Sequence, residues 1–159
     1  MRLFIAIEFP DEVKQGIQLL QKAEAERQIG FRWTRPDQLH VTMKFLGELD
    51  DAQVQSAWTV LKDVPPVGPC TLGFGHFRLL PDNRRPRLVA LELTGDIDRL
   101  QLLREHLERS CEAHGFPREL RPFFPHVTAA RRNEKDVARL PASIAKSPGM
   151  GCSPLRNYP

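Results

Sequence analysis

The pattern of this chain predicts an α+β fold of two small lobes that share one cleft. Three observations carry that prediction. Segments with period-two alternation and segments with a 3.6-residue period follow one another as strand, helix, strand, and then helix, strands, helix, strand, so two halves of similar grammar are visible. A short stretch recurs at matching places in the two halves, as His40-Val41-Thr42-Met43 and His126-Val127-Thr128-Ala129. The alternation of strands and helices is also too irregular for a doubly wound parallel sheet. At 159 residues the chain suits one ordinary domain, or two lobes with a common core.

The elements follow in order. Residues 2–9 alternate and are rich in Ile and Phe, which reads as a first strand. Pro10 fits the first turn of a helix, where Asp11 and Glu12 suit the positive N-terminal end. Val13, Ile17, Leu20 and then Ala23 or Glu24 keep helical spacing, and the pattern fades near Gln28 and Gly30. Phe31-Arg32-Trp33 is a short extended piece closed by the Arg35-Pro36-Asp37 turn. The first motif strand covers residues 39–46 and ends at Gly47. Asp50-Asp51 caps a second helix, whose expected buried face is Val54, Trp58 and Leu61. Pro65-Pro66 and Gly68-Pro69 end that helix and mark a crossing between the halves. Residues 70–74 and 77–80 read as two strands or one bent strand, residues 81–86 as a loop tip, and residues 87–93 as a further strand. Asp96 or Thr94 caps a third helix, in which Ile97, Leu100, Leu103 or Arg104, Leu107 and Cys111 recur at helical period, with Gly115 as a natural stop and Pro117 beyond it. Arg121-Pro122-Phe123-Phe124-Pro125 then leads into the second motif strand, residues 125–130. Residues 134–140 can form a helical turn, whereas residues 141–159 carry neither period and are expected to be irregular.

Composition narrows the function classes. No stretch approaches the ~20 apolar residues of a membrane span. The first residues resemble a signal peptide only superficially: the apolar run is short, Glu8 and Asp11 follow at once, and no small-residue cleavage site appears. The three cysteines, Cys70, Cys111 and Cys152, are an odd and scattered set without a CxxC pair, which argues against a disulfide framework and against a structural zinc site. A reducing cytoplasm is the expected setting. A net charge of +3 and a pI near 9.0 suit an anionic partner without demonstrating one.

The chemistry rests on the repeated stretch. Successive strand residues alternate faces, so His40 and Thr42 share one face, as do His126 and Thr128, while Val41 and Val127 point to a core. An imidazole exchanges protons near neutral pH. A pair of them, one neutral and one protonated, can take a proton from water and give one to a leaving oxygen. The threonine hydroxyls can hold non-bridging phosphate oxygens without adding charge. Displacement at phosphorus places the attacking and leaving groups on opposite sides, which two facing strands supply. A single His-x-Thr is a weak pattern, more often structural than catalytic. Two copies among five histidines, at matching places, are harder to dismiss. A two-histidine metal site is the rival, but neither motif contains a carboxylate or cysteine to complete the ligand set. His76, His106 and His114 lack a threonine at i+2, and the last two read as surface residues of the third helix.

Three pieces together carry a family resemblance: Arg2-Leu3-Phe4-Ile5-Ala6-Ile7, then Leu39-His40-Val41-Thr42-Met43-Lys44-Phe45-Leu46-Gly47, then Arg121-Pro122-Phe123-Phe124-Pro125-His126-Val127-Thr128-Ala129-Ala130-Arg131. They resemble the 2H phosphoesterases, and more narrowly the bacterial and archaeal RNA 2′,3′-cyclic phosphodiesterases, once called 2′-5′ RNA ligases. The resemblance implies an α+β fold of two lobes, each an antiparallel sheet with outer helices, around a central cleft lined by both motifs. It implies metal-independent hydrolysis of an RNA 2′,3′-cyclic phosphate to a 2′-phosphomonoester, with no cofactor. His40 is then the proton donor to the departing 3′ oxygen and His126 the acceptor that activates water; the motifs themselves are too alike to assign that polarity. Thr42 and Thr128 would bind phosphate oxygens. Arg131 stands where the family keeps an arginine and could grip a phosphate bidentately. Run backwards, the site could join 2′,3′-cyclic and 5′-hydroxyl ends without ATP.

Other residues have weaker claims. Lys44 shares the face of His40 and Thr42 by strand parity, as a source of positive potential or as a solvated charge, and Arg132 points elsewhere by alternation. Phe9, Trp33, Phe123 and Phe124 could stack on bases, although core packing suits most of them. Arg84, Arg85 and Arg87 could touch an RNA backbone or simply be solvated. The whole chain, residues 1–159, is expected to be one two-lobed domain, a cytoplasmic monomer whose partner is an RNA end. It departs from the family after Arg131, where related chains continue with further strands and this one has a Pro- and Gly-rich tail, so one sheet is expected to lack edge strands. A module that binds a nucleotide or RNA end in the same cleft without turnover is the alternative from another class.

Overall fold

The computed structural model describes residues 1–28 and 30–132, and the expectations for residues 134–140 and 141–159 lie outside the described residues. Its elements are β1 (Arg2–Glu8), α1 (Asp11–Ala25), β2 (Phe31–Trp33), a 3-10 turn (Pro36–Gln38), β3 (His40–Glu48), α2 (Asp51–Asp63), β4 (Leu72–Leu80), β5 (Leu88–Gly95), α3 (Ile97–Ala113) and β6 (His126–Arg132). Local chemistry explains the boundaries. Asp50 caps α2 in a reciprocal box, accepting from the Gln53 N–H while the Gln53 side chain accepts from the Asp50 N–H. Asp96 precedes α3 but spends its carboxylate on the Thr71 N–H at 2.8 Å, so it ties the helix start to β4 instead of capping the helix. Gly115 closes α3 with φ of +84°, a conformation that side chains disfavour, and Phe116 N–H returns to the Cys111 carbonyl at 2.9 Å.

The strands form one antiparallel sheet in the order β1-β3-β6-β5-β4, with β2 paired to β6. The two halves meet where β3 and β6 pair, and that pairing rests on a single residue pair, Val41 with Val127. The two lobes are therefore a sheet pinched between the motifs. Hydrophobic burial secures the pinch. Val41 and Val127 are buried with Val89, Leu91, Ile17 of α1, Val60 of α2, and Leu100, Leu107 and Cys111 of α3 in one core, and each fully buried aliphatic side chain is worth about 1.5–3 kcal/mol.

Both motif strands carry a bulge at the same place. On β3, Ala6 pairs with Thr42 and Ile5 with Lys44, which leaves Met43 as the extra residue. On β6, Ala90 pairs with Thr128 and Val89 with Ala130, which leaves Ala129 as the extra residue. One extra residue reverses the face of everything beyond it. Met43 and Lys44 are consequently both buried and Phe45 is exposed; Ala129 and Ala130 are both buried and Arg131 is exposed. This corrects the parity argument for Lys44, which turns into the protein, 3% exposed, and binds Glu108 at 2.7 Å.

The buried face of α2 also differs from the expected one. Ala57 and Val60 are buried, while Trp58 is 60% and Leu61 42% exposed. The small Ala57 faces the core, and Ser110 of α3 donates its hydroxyl to the Val60 carbonyl at 2.9 Å, so that face meets α3 and the bulky residues fall on the flank.

Candidate active site

His40 and His126 each open a strand, and each ring is held in the same way. Nδ1 of His40 lies 2.8 Å from the Gln38 carbonyl, and Nδ1 of His126 lies 2.8 Å from the Phe124 carbonyl. A carbonyl only accepts, so Nδ1 carries the hydrogen and Nε2 is left as the reactive nitrogen. An aromatic ring lies against each imidazole. Phe4 stacks on His40 at 4.9 Å and 26°, and Phe124 stacks on His126 at 5.3 Å and 19°.

The pinch sets the four motif side chains around one point. Antiparallel pairing of Val41 with Val127 puts His40 beside Thr128 and Thr42 beside His126. Directly opposed residues have Cβ atoms about 4.5–5.5 Å apart and diagonal ones lie about 7–8 Å apart. The two histidines thus occupy diagonal corners of a square, with a threonine at each of the other corners. Both imidazoles therefore lie on one face of two adjacent strands, with room for one phosphoryl group between them.

The corners are not equivalent. Burial pushes His126 below the ordinary imidazole range, and the Arg131 guanidinium pushes the same way; only the bond to the Phe124 carbonyl opposes them. His40 instead has its Nε2 within 3.2 Å of the Thr42 hydroxyl. Beside this square opens a cleft of about 490 Å³, lined by His40, Thr128, Arg131, Arg32, Phe4 and Trp33 among others. Thr42 and His126 do not line it and remain at the pinch. Among the described residues no group of three or more His, Cys, Asp or Glu is placed to hold a metal ion, and no helix is long and apolar enough to cross a membrane.

Arg131 reaches this cleft because of the bulge at Ala129. Strict alternation from His126 would have turned it away and brought Arg132 to that face instead, so the expectation that Arg132 points elsewhere rests on the bulge and not on alternation. The bulge is held from two sides: Gln21 of α1 donates Nε2 to the carbonyls of Ala129 at 2.9 Å and Thr34 at 3.0 Å. Thr34 gives its N–H to the Ala129 carbonyl at 2.9 Å and its hydroxyl to the Thr128 carbonyl at 2.8 Å. Sequence reasoning missed Gln21, Thr34, Arg32 and Phe4. A signal existed for Gln21, a polar residue one turn after Ile17 on the buried stripe of α1. Nothing local marked the others, whose roles depend on pairing across the sheet.

The remaining candidates separate cleanly. Phe9 packs edge-on against Phe74 and Trp33 against Phe77, both partly buried beside the core. Phe123 lies under Arg104, whereas Phe124 is exposed and stacks on His126. Arg84, Arg85 and Arg87 are not part of the cleft lining. His106 contacts the Pro65 carbonyl, and His114 follows the end of α3 and faces Asp63 at 3.2 Å.

Comparison with known proteins places this geometry. Residues 7–90 match the family model of LigT-like phosphoesterases. The chain is 32% identical over 131 residues to an RNA 2′,3′-cyclic phosphodiesterase of Bacillus subtilis, covering 81% of this chain and 70% of that one. It is 33% identical over 136 residues to the RNA 2′,3′-cyclic phosphodiesterase of Thermotoga maritima, covering 82% and 70%. Its fold is similar to the crystal structure of Escherichia coli LigT complexed with 3′-AMP, with a TM-score of 0.67 over 99% of this chain and 96% of that one, at 23% identity.

Proposed function

The chain belongs to the LigT-like phosphoesterases, and from that premise we propose that it hydrolyses RNA 2′,3′-cyclic phosphate ends to 2′-phosphomonoesters by acid–base catalysis between His40 and His126, without a metal. The observation that carries this reading is the diagonal placement of two imidazoles, each with Nδ1–H committed to a backbone carbonyl, which leaves Nε2 as the nitrogen for proton transfer.

In the reaction, Nε2 of neutral His126 takes a proton from water as the water oxygen attacks phosphorus. The bond from phosphorus to O3′ breaks on the opposite side, and protonated His40 gives its proton to O3′. The product keeps its phosphate on O2′, and the two histidines exchange protons with solvent to regain their starting states. Thr42 and Thr128 donate hydroxyl hydrogens to the non-bridging oxygens, and Arg131, in the adjoining cleft, adds positive potential and binds substrate. The depressed pKa of His126 supports its role as acceptor, because it keeps that ring neutral near pH 7. By reversibility, a 5′-hydroxyl in place of water would give a 2′-5′ bond without ATP. We place the reaction in a reducing cytoplasm, which suits the free thiols of Cys70 and Cys111, and in a monomer.

The test is an oligoribonucleotide ending in a 2′,3′-cyclic phosphate, incubated with the protein in excess EDTA. The expected product carries a 2′-phosphate. A 3′-phosphate would reverse the assignment of the leaving oxygen, and no product would leave a binding module as the better reading. His40→Ala and His126→Ala should each lower the rate by about 10²–10⁴-fold with unchanged circular dichroism; full activity in either variant defeats the role given to that residue.

A further inference from the structure

Building on that activity, we propose that Arg32 and Arg131 form a second anion subsite, which holds the phosphodiester immediately 5′ of the nucleotide that reacts. Arg32 on β2 pairs directly with Arg131 on β6. Both are exposed, and both line the cleft that also contains His40 and Thr128. Like charges directly opposed on paired strands destabilise a sheet. Among the described residues neither arginine makes an ion pair, and Asp37, which lines the same cleft, is engaged by Arg35 at 2.9 Å. Glu8, the other carboxylate of the lining, makes no ion pair with either arginine among the described residues. Two adjacent guanidiniums therefore favour an anion between them, and their planar donor sets match phosphate oxygens.

The placement is built into the fold. Arg131 faces the cleft only because Ala129 bulges, and Gln21 and Thr34 hold that bulge. Along β6, Arg131 lies three residues beyond Thr128, one of which is the bulged Ala129, so the distance amounts to about two regular strand steps, or about 7 Å. The next backbone phosphate of a single strand can reach that far when the cyclic phosphate sits between His40 and His126. Trp33, in the same cleft wall beside Arg32, supplies an apolar surface along this path.

The subsite would make the enzyme discriminate between chain ends and free nucleosides. The substrate class becomes an oligoribonucleotide with a terminal 2′,3′-cyclic phosphate, in preference to a nucleoside 2′,3′-cyclic phosphate that has a 5′-hydroxyl. The experiment compares kcat/KM for a dinucleotide ending in 2′,3′-cyclic phosphate with that for the nucleoside 2′,3′-cyclic phosphate, in the wild type, Arg32→Ala and Arg32→Lys. Arg32→Ala should lose roughly tenfold to a hundredfold on the dinucleotide, mainly in KM, and nothing on the nucleoside. Arg32→Lys should recover part of that loss. The slope of log affinity for the dinucleotide against log salt should become shallower by about 0.7 in Arg32→Ala.

Equal losses on both substrates would place Arg32 on the reacting phosphate or in the scaffold and overturn the proposal, as would no loss on either. Calorimetric binding of the dinucleotide 2′-phosphate and the nucleoside 2′-phosphate reads the same difference without turnover. If the wild type hydrolyses neither substrate, the activity is refuted, while the binding contrast still decides the subsite.

Discussion

Removing the carboxylate of Glu108 should destabilise the protein more than any surface change, and the structure sets the size of the effect. Lys44 and Glu108 are each 3% exposed and 2.7 Å apart. The ammonium has one further acceptor, the Pro117 carbonyl at 2.8 Å. The same carboxylate accepts the Glu119 N–H at 3.1 Å and pairs with Arg104. Glu108→Ala therefore leaves a buried Lys44 charge with one neutral acceptor and frees the segment that leads into β6. Breaking such a pair from one side costs about 3–5 kcal/mol, a large share of the roughly 5–15 kcal/mol that holds a domain together. At about 3 °C per kcal/mol for a chain of this size, the melting temperature should fall by roughly 9–15 °C. Urea unfolding of the wild type, Glu108→Ala and the double variant Glu108→Leu with Lys44→Met measures it. Replacing both partners by apolar residues should recover at least half the loss, since the penalty comes from an unpaired charge. A cost below about 1 kcal/mol for Glu108→Ala would refute the reasoning. No recovery in the double variant would shift the cause from the charge to the lost anchoring of Pro117 and Glu119.

Two further outcomes follow from the same structure. The rate of cyclic phosphate opening should be bell-shaped in pH, with its acidic limb below the ordinary imidazole value of about 6.5, because His126 must be neutral and burial lowers its pKa. The sign is fixed: a depressed pKa keeps the neutral form to lower pH, so both activity and this ring's contribution to stability hold above about 6.5 and fall as pH drops through the folded value. Arg131→Ala removes a charge that lowers that pKa and should move the limb upward; an unmoved limb would sever His126 from the profile. Gln21→Ala should cost about 1–3 kcal/mol through two lost bonds to backbone carbonyls, seen in urea unfolding, and should lower kcat/KM by loosening the bulge that aims Arg131. A variant stable and fully active would show that the bulge holds without it.

Periodicity made the elements legible, and pairing decided what they do. The ends of β1 and α3 and the start of α2 follow from Pro10, Gly115 and Asp50, all local signals, whereas β3 runs one residue past Gly47, to Glu48. His40 and His126 were visible because the same triplet recurs in two strand-like runs. Lys44 was misplaced because alternation assumes a regular strand, and neither Met43 nor Ala129 has the chemistry that announces a bulge. That information sits in the partners: β1 offers two residues fewer than β3 uses, one of them at Met43, and β5 one fewer than β6. Arg32 gained meaning only beside Arg131, a residue nearly a hundred positions later. The failure of Trp58 as a core residue has the same origin, because the period locates a stripe but its neighbour α3 selects which side is buried.

A site with two identical arms would be a poor catalyst for this reaction, since it needs one ring protonated and the other neutral at the same pH. Each arm here repeats the same parts: an Nδ1–H bonded to the carbonyl two residues back, a stacked phenylalanine, a threonine, and a bulge just after it. The difference enters five residues past each histidine. The bulges carry Phe45 and Arg131 to the outward face of their strands. An aromatic ring stands at that position on the His40 arm, and a cation at the same position on the His126 arm. Burial is what chiefly disfavours a positive charge on His126, and the Arg131 cation adds to it. In the proposed mechanism the same guanidinium faces the substrate, so burial and this cation together favour His126 as the base. A Phe45→Arg variant puts a cation on both arms and should lower kcat/KM near pH 7 with an unchanged fold by circular dichroism; full activity would show that the difference at this position does not matter.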